Sequence, residues 1–204
     1  FTKVTTVADS KGVMTVIIGQ GTTLVAGTKA LSVEVGVGDP DTQQTELRVA
    51  TAKSSVALKG SLLGGSLGAK FNFRDVHVKQ AREEINLLAM ALSETLNAAQ
   101  ANGLDLNGAQ GTPIFADINS VASQQSRVLT PSGNTGSLSA SVNITDVSLV
   151  PPGEFEIKFD GTDYLMTNKS NQSVTNLGAP GAGTYTTAFG FEFNEDTGAP
   201  ATDD

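Results

Sequence analysis

The sequence of 204 residues contains no cysteine and no tryptophan, and it has a single histidine, His77. Without cysteine the chain can form no disulfide, no thiolate nucleophile and no cysteine metal site. One histidine also excludes every metal centre that needs several histidine ligands. We therefore expect no metal site, and most familiar catalytic arrangements are excluded.

Positive charge and long apolar runs are scarce as well. Thirteen Lys and Arg residues stand against 21 Asp and Glu residues, so the formal net charge is -8. A chain of this charge is repelled by phosphate backbones, and we expect no nucleic-acid partner. No stretch approaches the roughly 18 consecutive apolar residues of a membrane helix, so we expect no membrane partner either.

The N-terminal half begins with β-strand patterns. The first residue is Phe1 instead of an initiating Met, and residues 1–7 already alternate like a strand, which indicates a fragment of a longer protein. From Val13 to Val25, β-branched residues surround the Gly-rich turn Ile18-Gly19-Gln20-Gly21-Thr22, and this pattern predicts a β-hairpin or small meander. Two further alternating runs, 33–37 and 47–49, predict short strands.

The period of the apolar residues changes between Val78 and Ala101. In this segment they recur at steps of four, three, four, four and three: Ala81, Ile85, Leu88, Leu92, Leu96 and Ala99. Such spacing predicts one long amphipathic helix whose apolar stripe, including Leu88 and Leu92, faces the core. Leu87 and Met90 lie off the stripe and indicate a second contact surface.

The end of this helix coincides with a predicted domain boundary. Gly103 stands where a Schellman ending prefers glycine, and a polar, Gly-rich connection follows at residues 105–112. We place a rod-like part with the hairpin and the helix at 1–110 and an outer β domain at 111–204. The sequence therefore predicts an α+β fold, in which a β-hairpin or meander plus one long amphipathic helix precedes a mainly antiparallel β domain.

The outer β domain shows several strand patterns. Residues 138–144 alternate between apolar and polar side chains, and residues 155–166 read as a hairpin that turns at Asp160-Gly161. Three Phe residues within 189–193 share one face of a further strand. Because residues 198–204 read as a turn into a strand that is not there, we predict an incomplete C-terminal edge with 189–193 unpaired.

One motif is typical of hydrolases. Gly64-Gly65-Ser66-Leu67-Gly68 matches G-x-S-x-G, the elbow that exposes a nucleophilic serine. The chemistry needs a histidine base placed by a parallel sheet, whereas His77 lies eleven residues on and no βαβ alternation surrounds the motif. We interpret Ser66 as part of a flexible turn ahead of the long helix, and we predict no catalytic residue.

Other short patterns also favour structural interpretations. Gly27-Thr28-Lys29 lacks the spacing of a phosphate loop, and the stretch from Asp105 to Gly108 lacks the final Glu of a calcium loop and reads as a polar turn. Asp75 is a candidate N-cap of the helix, and His77 reads as solvated or capping. Three asparagines stand in glycosylation sequons and are interpreted as surface residues: Asn143, Asn168 and Asn171.

The segments around the helix resemble a known family. Leu63-Gly64-Gly65-Ser66-Leu67-Gly68 is followed by Phe73-Arg74-Asp75, then by the helix, and then by Gly103-Leu104-Asp105-Leu106-Asn107-Gly108. This order resembles the flagellar hook-associated protein 1 family, and the hairpin from Val16 to Gly27 is similar to the family's preceding segment. The resemblance covers about residues 13–119.

The resemblance implies a structural axial protein of the bacterial flagellum, outside the cell, that joins hook and filament without catalysis or cofactor. The implied partners are the hook protein, hook-associated protein 3 and copies of itself. Nothing in the sequence matches the family's terminal coiled-coil segments, so we expect a central fragment without the terminal helices that is monomeric by itself.

The alternative is an extracellular β-rich binding or adhesin-like module. A carbohydrate binder usually presents exposed Trp or Tyr platforms, whereas this chain has no Trp and two Tyr. The helical stripe favours assembly over binding of a sugar. The lack of Cys and Trp and the many small polar residues also suit export in an unfolded state.

Overall fold

The computed structural model describes residues 1–19, 21–51 and 54–204. Contacts within the chain divide it into two compact units, Phe1–Lys79 and Gln80–Asp204, and each is described by itself. Gln20, at the centre of the predicted Gly-rich turn, lies outside the described residues.

The first unit contains two antiparallel sheets. Its strands are β1 Val4–Ala8, β2 Met14–Ile18, β3 Thr22–Ala26, β4 Lys29–Ala30, β5 Ser32–Val37, β6 Thr45–Ala50 and β7 Ser55–Leu58. One sheet has the order β1-β2-β3-β4 and the other the order β5-β6-β7. The predicted hairpin is confirmed as β2 and β3, and the alternating runs at 33–37 and 47–49 are confirmed as parts of β5 and β6.

Three helical segments follow one another along the chain. Helix α1 spans Gly65–Asn72, a π-helical segment spans Phe73–Val78, and helix α2 spans Lys79–Ala101. The predicted helix is therefore confirmed as α2, and fourteen further helical residues precede Lys79. Asp75 lies inside the π-helical segment and pairs with Arg74, so the prediction that it caps the helix start is wrong.

The helix ends at Ala101, as its pattern predicts, but by a different mechanism. Gly103 does not adopt a positive φ, which the Schellman motif requires at this position. Instead, the amide of Asn102 donates to the carbonyl of Ala98, and the amide of Gly103 donates to the carbonyl of Gln100. A tightened final turn thus replaces the left-handed glycine.

The core of the first unit lies between its sheets and α1. Ile18, Val49, Leu58 and Leu63 are buried together, and partly buried apolar side chains of α1 pack against them. Glycine is required at the start of α1 because another part of the backbone lies close to it. Gly65 has φ +61, and a Cβ there would come within 2.8 Å of the carbonyl oxygen of Phe1.

The second unit combines α2 with a short helix and six strands. These elements are α3 Val121–Ser126, β8 Ser139–Ile144, β9 Phe155–Phe159, β10 Tyr164–Asn168, β11 Val174–Gly178, β12 Thr184–Thr186 and β13 Phe191–Thr197. The strands form two antiparallel sheets of three strands each, with the orders β11-β10-β9 and β12-β13-β8. The predicted hairpin at 155–166 is confirmed, with Tyr164 opposite Phe159.

The prediction of a free edge at 189–193 is wrong. Strand β13 begins at Phe191 and lies at the centre of its sheet, paired with β12 on one side and β8 on the other. The last residues fold back, because Ser137 donates its amide to Ala199 and Asp203 donates its amide to Phe159. Residues that are distant in sequence therefore pair with the backbone groups that the local pattern predicted to be free.

The α+β expectation is confirmed, and every strand pair in the described part of the chain is antiparallel. The predicted division of the complete protein into domains at residues 110 and 111 remains a prediction. Within the described residues, no helix has the length and apolar character needed to cross a membrane.

Candidate functional site

The apolar stripe of α2 faces away from the core of its unit. Ile85, Leu88 and Leu92 are 65, 70 and 52% exposed, and Leu96 is 37% exposed. The prediction that Leu88 and Leu92 belong to the core is therefore wrong. The stripe is instead a regular row of exposed apolar side chains along this helix.

The opposite face of α2 makes the contacts with the rest of the unit. Met90 and Ala91 pack against the buried cluster that contains Ile144 and Met166. Leu87 is half-buried on the same side. Leu87 and Met90, which lie off the stripe, thus belong to the inner face of the helix. Two faces of α2 are apolar, and the neighbouring sheet covers the less apolar of the two.

Polar side chains of α2 add to this inner face. The Asn97 side chain accepts the amides of Ile114 and Phe115, both at 2.9 Å, and donates to the carbonyl of Phe115 at 3.0 Å. Ser93 is buried, and its hydroxyl lies 3.5 Å from the carbonyl of Ala116. These polar side chains therefore hold residues 114–116 along the helix. The spacing of apolar residues in the sequence gives no sign of such contacts.

The stripe has the geometry of a helix-binding surface. Ile85, Leu88 and Leu92 follow steps of three and four, the spacing by which one helix packs its side chains between those of another. Burying an exposed leucine contributes about 1.5–3 kcal/mol. A row of such side chains can therefore hold a partner helix firmly.

The hydrolase-like motif does not bring Ser66 together with His77. Ser66 lies in the first turn of α1, so its placement in a flexible turn is wrong, and its hydroxyl donates to the carbonyl of Phe1 at 3.2 Å. His77 lies eleven helical residues on, roughly 16 Å along the axis, and its ring is 6.3 Å from that of Phe73. The histidine is therefore out of reach of the Ser66 hydroxyl.

The polar turn at residues 105–108 is confirmed. The Asp105 carboxylate accepts the amides of Asn107 at 2.7 Å and Ala109 at 2.9 Å. These hydrogen bonds, that of Ala109 first, hold the pKa of Asp105 below its usual value. Its Oδ1 atom is used by the turn itself. No group of three acidic or histidine side chains within the described ranges is placed to hold a metal ion.

The other short motifs are also structural. Lys29 begins the two-residue strand β4, which pairs with β3, and does not precede a helix. Of the sequon asparagines, Asn171 is exposed, whereas Asn168 is 8% exposed and accepts the amide of Ser170. The interpretation of Asn168 as a surface residue is therefore wrong.

A polar cluster in the second unit was not predicted from the sequence. The Glu195 carboxylate accepts the Tyr164 hydroxyl at 2.7 Å and the amides of Gly181 at 2.8 Å and Gly183 at 3.2 Å. The Tyr185 hydroxyl lies 3.1 Å from it. Both tyrosines are buried, so neither offers the exposed platform that a sugar-binding module would use.

The ionisation of this cluster follows from its contacts. Burial raises the pKa of Glu195, but the hydrogen bonds from Tyr164, Gly181, Gly183 and Tyr185 outweigh it and leave the pKa below the usual value. Burial and the bond to Glu195 raise the pKa of Tyr164. The carboxylate is therefore ionised near neutral pH, and it ties the glycine-rich loop to β13 as a structural anchor.

Comparisons with known proteins identify relatives for most of the chain. A family model described as the flagellar hook-associated protein FlgK helical domain matches residues 1–115, which is more than half of the sequence. Flagellar hook-associated protein 1 of Salmonella typhimurium is 30% identical over 166 residues, which cover 80% of this chain and 29% of the relative. The Escherichia coli protein of the same name is 28% identical over 195 residues, which cover 95% of this chain and 34% of the relative.

One solved structure has a similar fold. The flagellar hook junction protein FlgK from Burkholderia pseudomallei superposes with a TM-score of 0.81 at 24% sequence identity, over 98% of this chain and 36% of that one. At this identity the likeness concerns the fold alone. The chain spans about a third of the length of the relatives it matches.

Proposed function

Because the chain belongs to the family of the flagellar hook-associated protein FlgK helical domain, we propose that it is a structural part of the bacterial flagellum that joins hook and filament outside the cell. Its partners in the complete assembly are then the hook protein, hook-associated protein 3 and copies of itself. The names of its relatives support the first part of this proposal.

The observation that carries the proposal is the exposed stripe of α2. A row that includes Leu88 at 70% exposure is unfavourable in water and indicates a helix that is covered in the complete protein. We propose that helical segments outside this sequence cover it. The stripe then joins these 204 residues to the polymerising core of the axial structure.

The remaining parts have supporting roles in this proposal. Residues 1–110 form part of a rod-like domain, and residues 111–204 form part of an outer β domain. The chain has no catalytic role and needs no cofactor, in keeping with the separation of Ser66 from His77. The acidic outer domain would face the surrounding solution.

A complementation experiment tests the proposal. Cells that lack the gene for the complete protein should carry hooks without attached filaments, and the complete protein should restore filaments and swimming. Leu88→Asp in the complete protein should abolish this rescue, because a charge on the stripe prevents helix packing. Asn86→Asp is the matched control, since Asn86 is exposed on the same helix but off the stripe.

Two outcomes would contradict the proposal. Normal filaments and swimming without the gene would exclude a junction role. Full rescue by Leu88→Asp, with the protein present at the normal level, would show that the stripe has no part in assembly.

A further inference from the structure

Strand β5 is an edge strand with an uncovered apolar row. It pairs with β6 on one side, and no strand of the described residues pairs with it on the other. Val33, Val35 and Val37 point to the core face of the sheet but are 45, 70 and 60% exposed, because the core lies under β6 and β7. An exposed apolar edge of this kind is a template for pairing with another strand.

The register with β6 shows which backbone groups are available. The amide of Gly38 donates to the carbonyl of Gln44. In an antiparallel ladder every second residue directs its amide and carbonyl to the same neighbouring strand, so the backbone groups of Gly36 and Glu34 also point to β6. The amides and carbonyls of Val33, Val35 and Val37 then point outward. At this edge the carbonyl of Val37 accepts a hydrogen bond from the Arg48 side chain at 3.4 Å.

Charge selects one register for pairing with an identical strand. A two-fold axis at Glu34 would place two Glu34 side chains directly opposite each other, which is destabilising. A two-fold axis at Val35 places each Glu34 opposite the partner's Gly36 instead. The Arg48 side chain runs across Gly36, where a Cβ would come within 2.8 Å of its Cδ, and its guanidinium pairs with Glu46. The incoming carboxylate therefore meets the Arg48–Glu46 ion pair instead of a second Glu34.

We propose that β5 pairs with β5 of a second copy of this chain, antiparallel across a two-fold axis at Val35, to form a continuous six-stranded sheet. Val33 then lies opposite Val37 of the second copy, and the exposed valines of both copies cover one another. Because only one strand of each copy takes part, we expect an interface below the standard of about 1,200–2,000 Å² and a dissociation constant on the order of 0.1 mM. This inference does not depend on the proposed function.

Sedimentation of the 204-residue chain tests the pairing. Between about 0.02 and 1 mM, around the expected dissociation constant, the average mass should rise from 21.0 kDa toward twice that value. Val35→Pro should abolish the rise without unfolding the sheet, because the amide of Val35 points away from β6. Thr6→Pro is the matched control at an outward position of the edge strand β1, and it should leave the rise intact.

Cross-linking tests the register. The chain has no cysteine, so a single introduced cysteine can form only an intermolecular disulfide. Val35→Cys places two Cα atoms about 5.5 Å apart across the axis, within disulfide range, whereas the two copies of Val33→Cys are about 14 Å apart. The first variant should therefore cross-link at least about tenfold faster than the second.

Three results would overturn the proposal. The first is a mass of 21.0 kDa at every concentration. The second is a dimer that survives Val35→Pro. The third is equal cross-linking rates for Val35→Cys and Val33→Cys.

Discussion

Glu195 holds the loop before β12 through hydrogen bonds that need its charge. Because its pKa is lower in the folded chain than the ordinary value of 4.5, its contribution to stability is present above that value and is lost as the pH falls below it. Glu195→Gln should lower the free energy of unfolding at pH 7 by about 1 kcal/mol or more and make it less sensitive to acid. Urea unfolding at several values between pH 3 and pH 7 measures both effects.

The matched control for this prediction is Glu94→Gln, at an exposed position of α2. The lowered pKa values of Asp105, Asp160 and Asp204 contribute acid sensitivity to parent and variants alike, so the difference between the curves reports on Glu195. Parallel curves for the parent and Glu195→Gln would show that the anchoring carboxylate adds nothing to stability.

At the scale of the element, the two faces of α2 differ in what they contact. Leu88→Ala should change the free energy of unfolding of this chain by no more than about 0.5 kcal/mol, because the side chain is exposed and Ala is a good helix former. Met90→Ala removes a partly buried side chain from the cluster around Met166 and should cost about 1–3 kcal/mol. Denaturant unfolding of both variants measures the contrast.

The same pair of variants decides which face is internal. A larger loss for Leu88→Ala than for Met90→Ala would show that the stripe packs within this chain after all. Circular dichroism of both variants serves as the control, since equal helix content ensures that the difference arises from packing.

At the scale of the whole molecule, charge and symmetry limit self-assembly. Residues 1–110 contain equal numbers of acidic and basic residues, so the whole net charge of -8 lies in residues 111–204. Like-charged segments of this kind repel one another. Pairing of β5 across a two-fold axis uses the same patch of both copies and closes at a dimer.

The chain by itself should therefore be monomeric at micromolar concentrations and form nothing larger than a dimer. Sedimentation velocity at physiological salt, where charge repulsion persists over about 8 Å, measures the species present. A stable ring or filament of the 204-residue chain would show instead that a polymerising interface lies within this sequence.

The features that depend on local spacing could be predicted from the amino-acid sequence. Alternation predicted the hairpins and the strands at 33–37 and 155–166, and the helical period predicted α2 and its end at Ala101. The quoted motifs also pointed to the family. These features are accessible because strand and helix periods and turn residues act over a few neighbouring positions.

Which surfaces are covered depends on long-range packing and could not be predicted from local patterns. The period of α2 shows that its stripe prefers burial, but whether a partner lies in this chain depends on contacts such as those of Asn97 with residues 114–115. The central position of β13, the Glu195 cluster and the uncovered edge of β5 likewise arise from residues far apart in sequence. Local patterns set the preference of each side chain for burial, whereas long-range packing selects the partner that satisfies it.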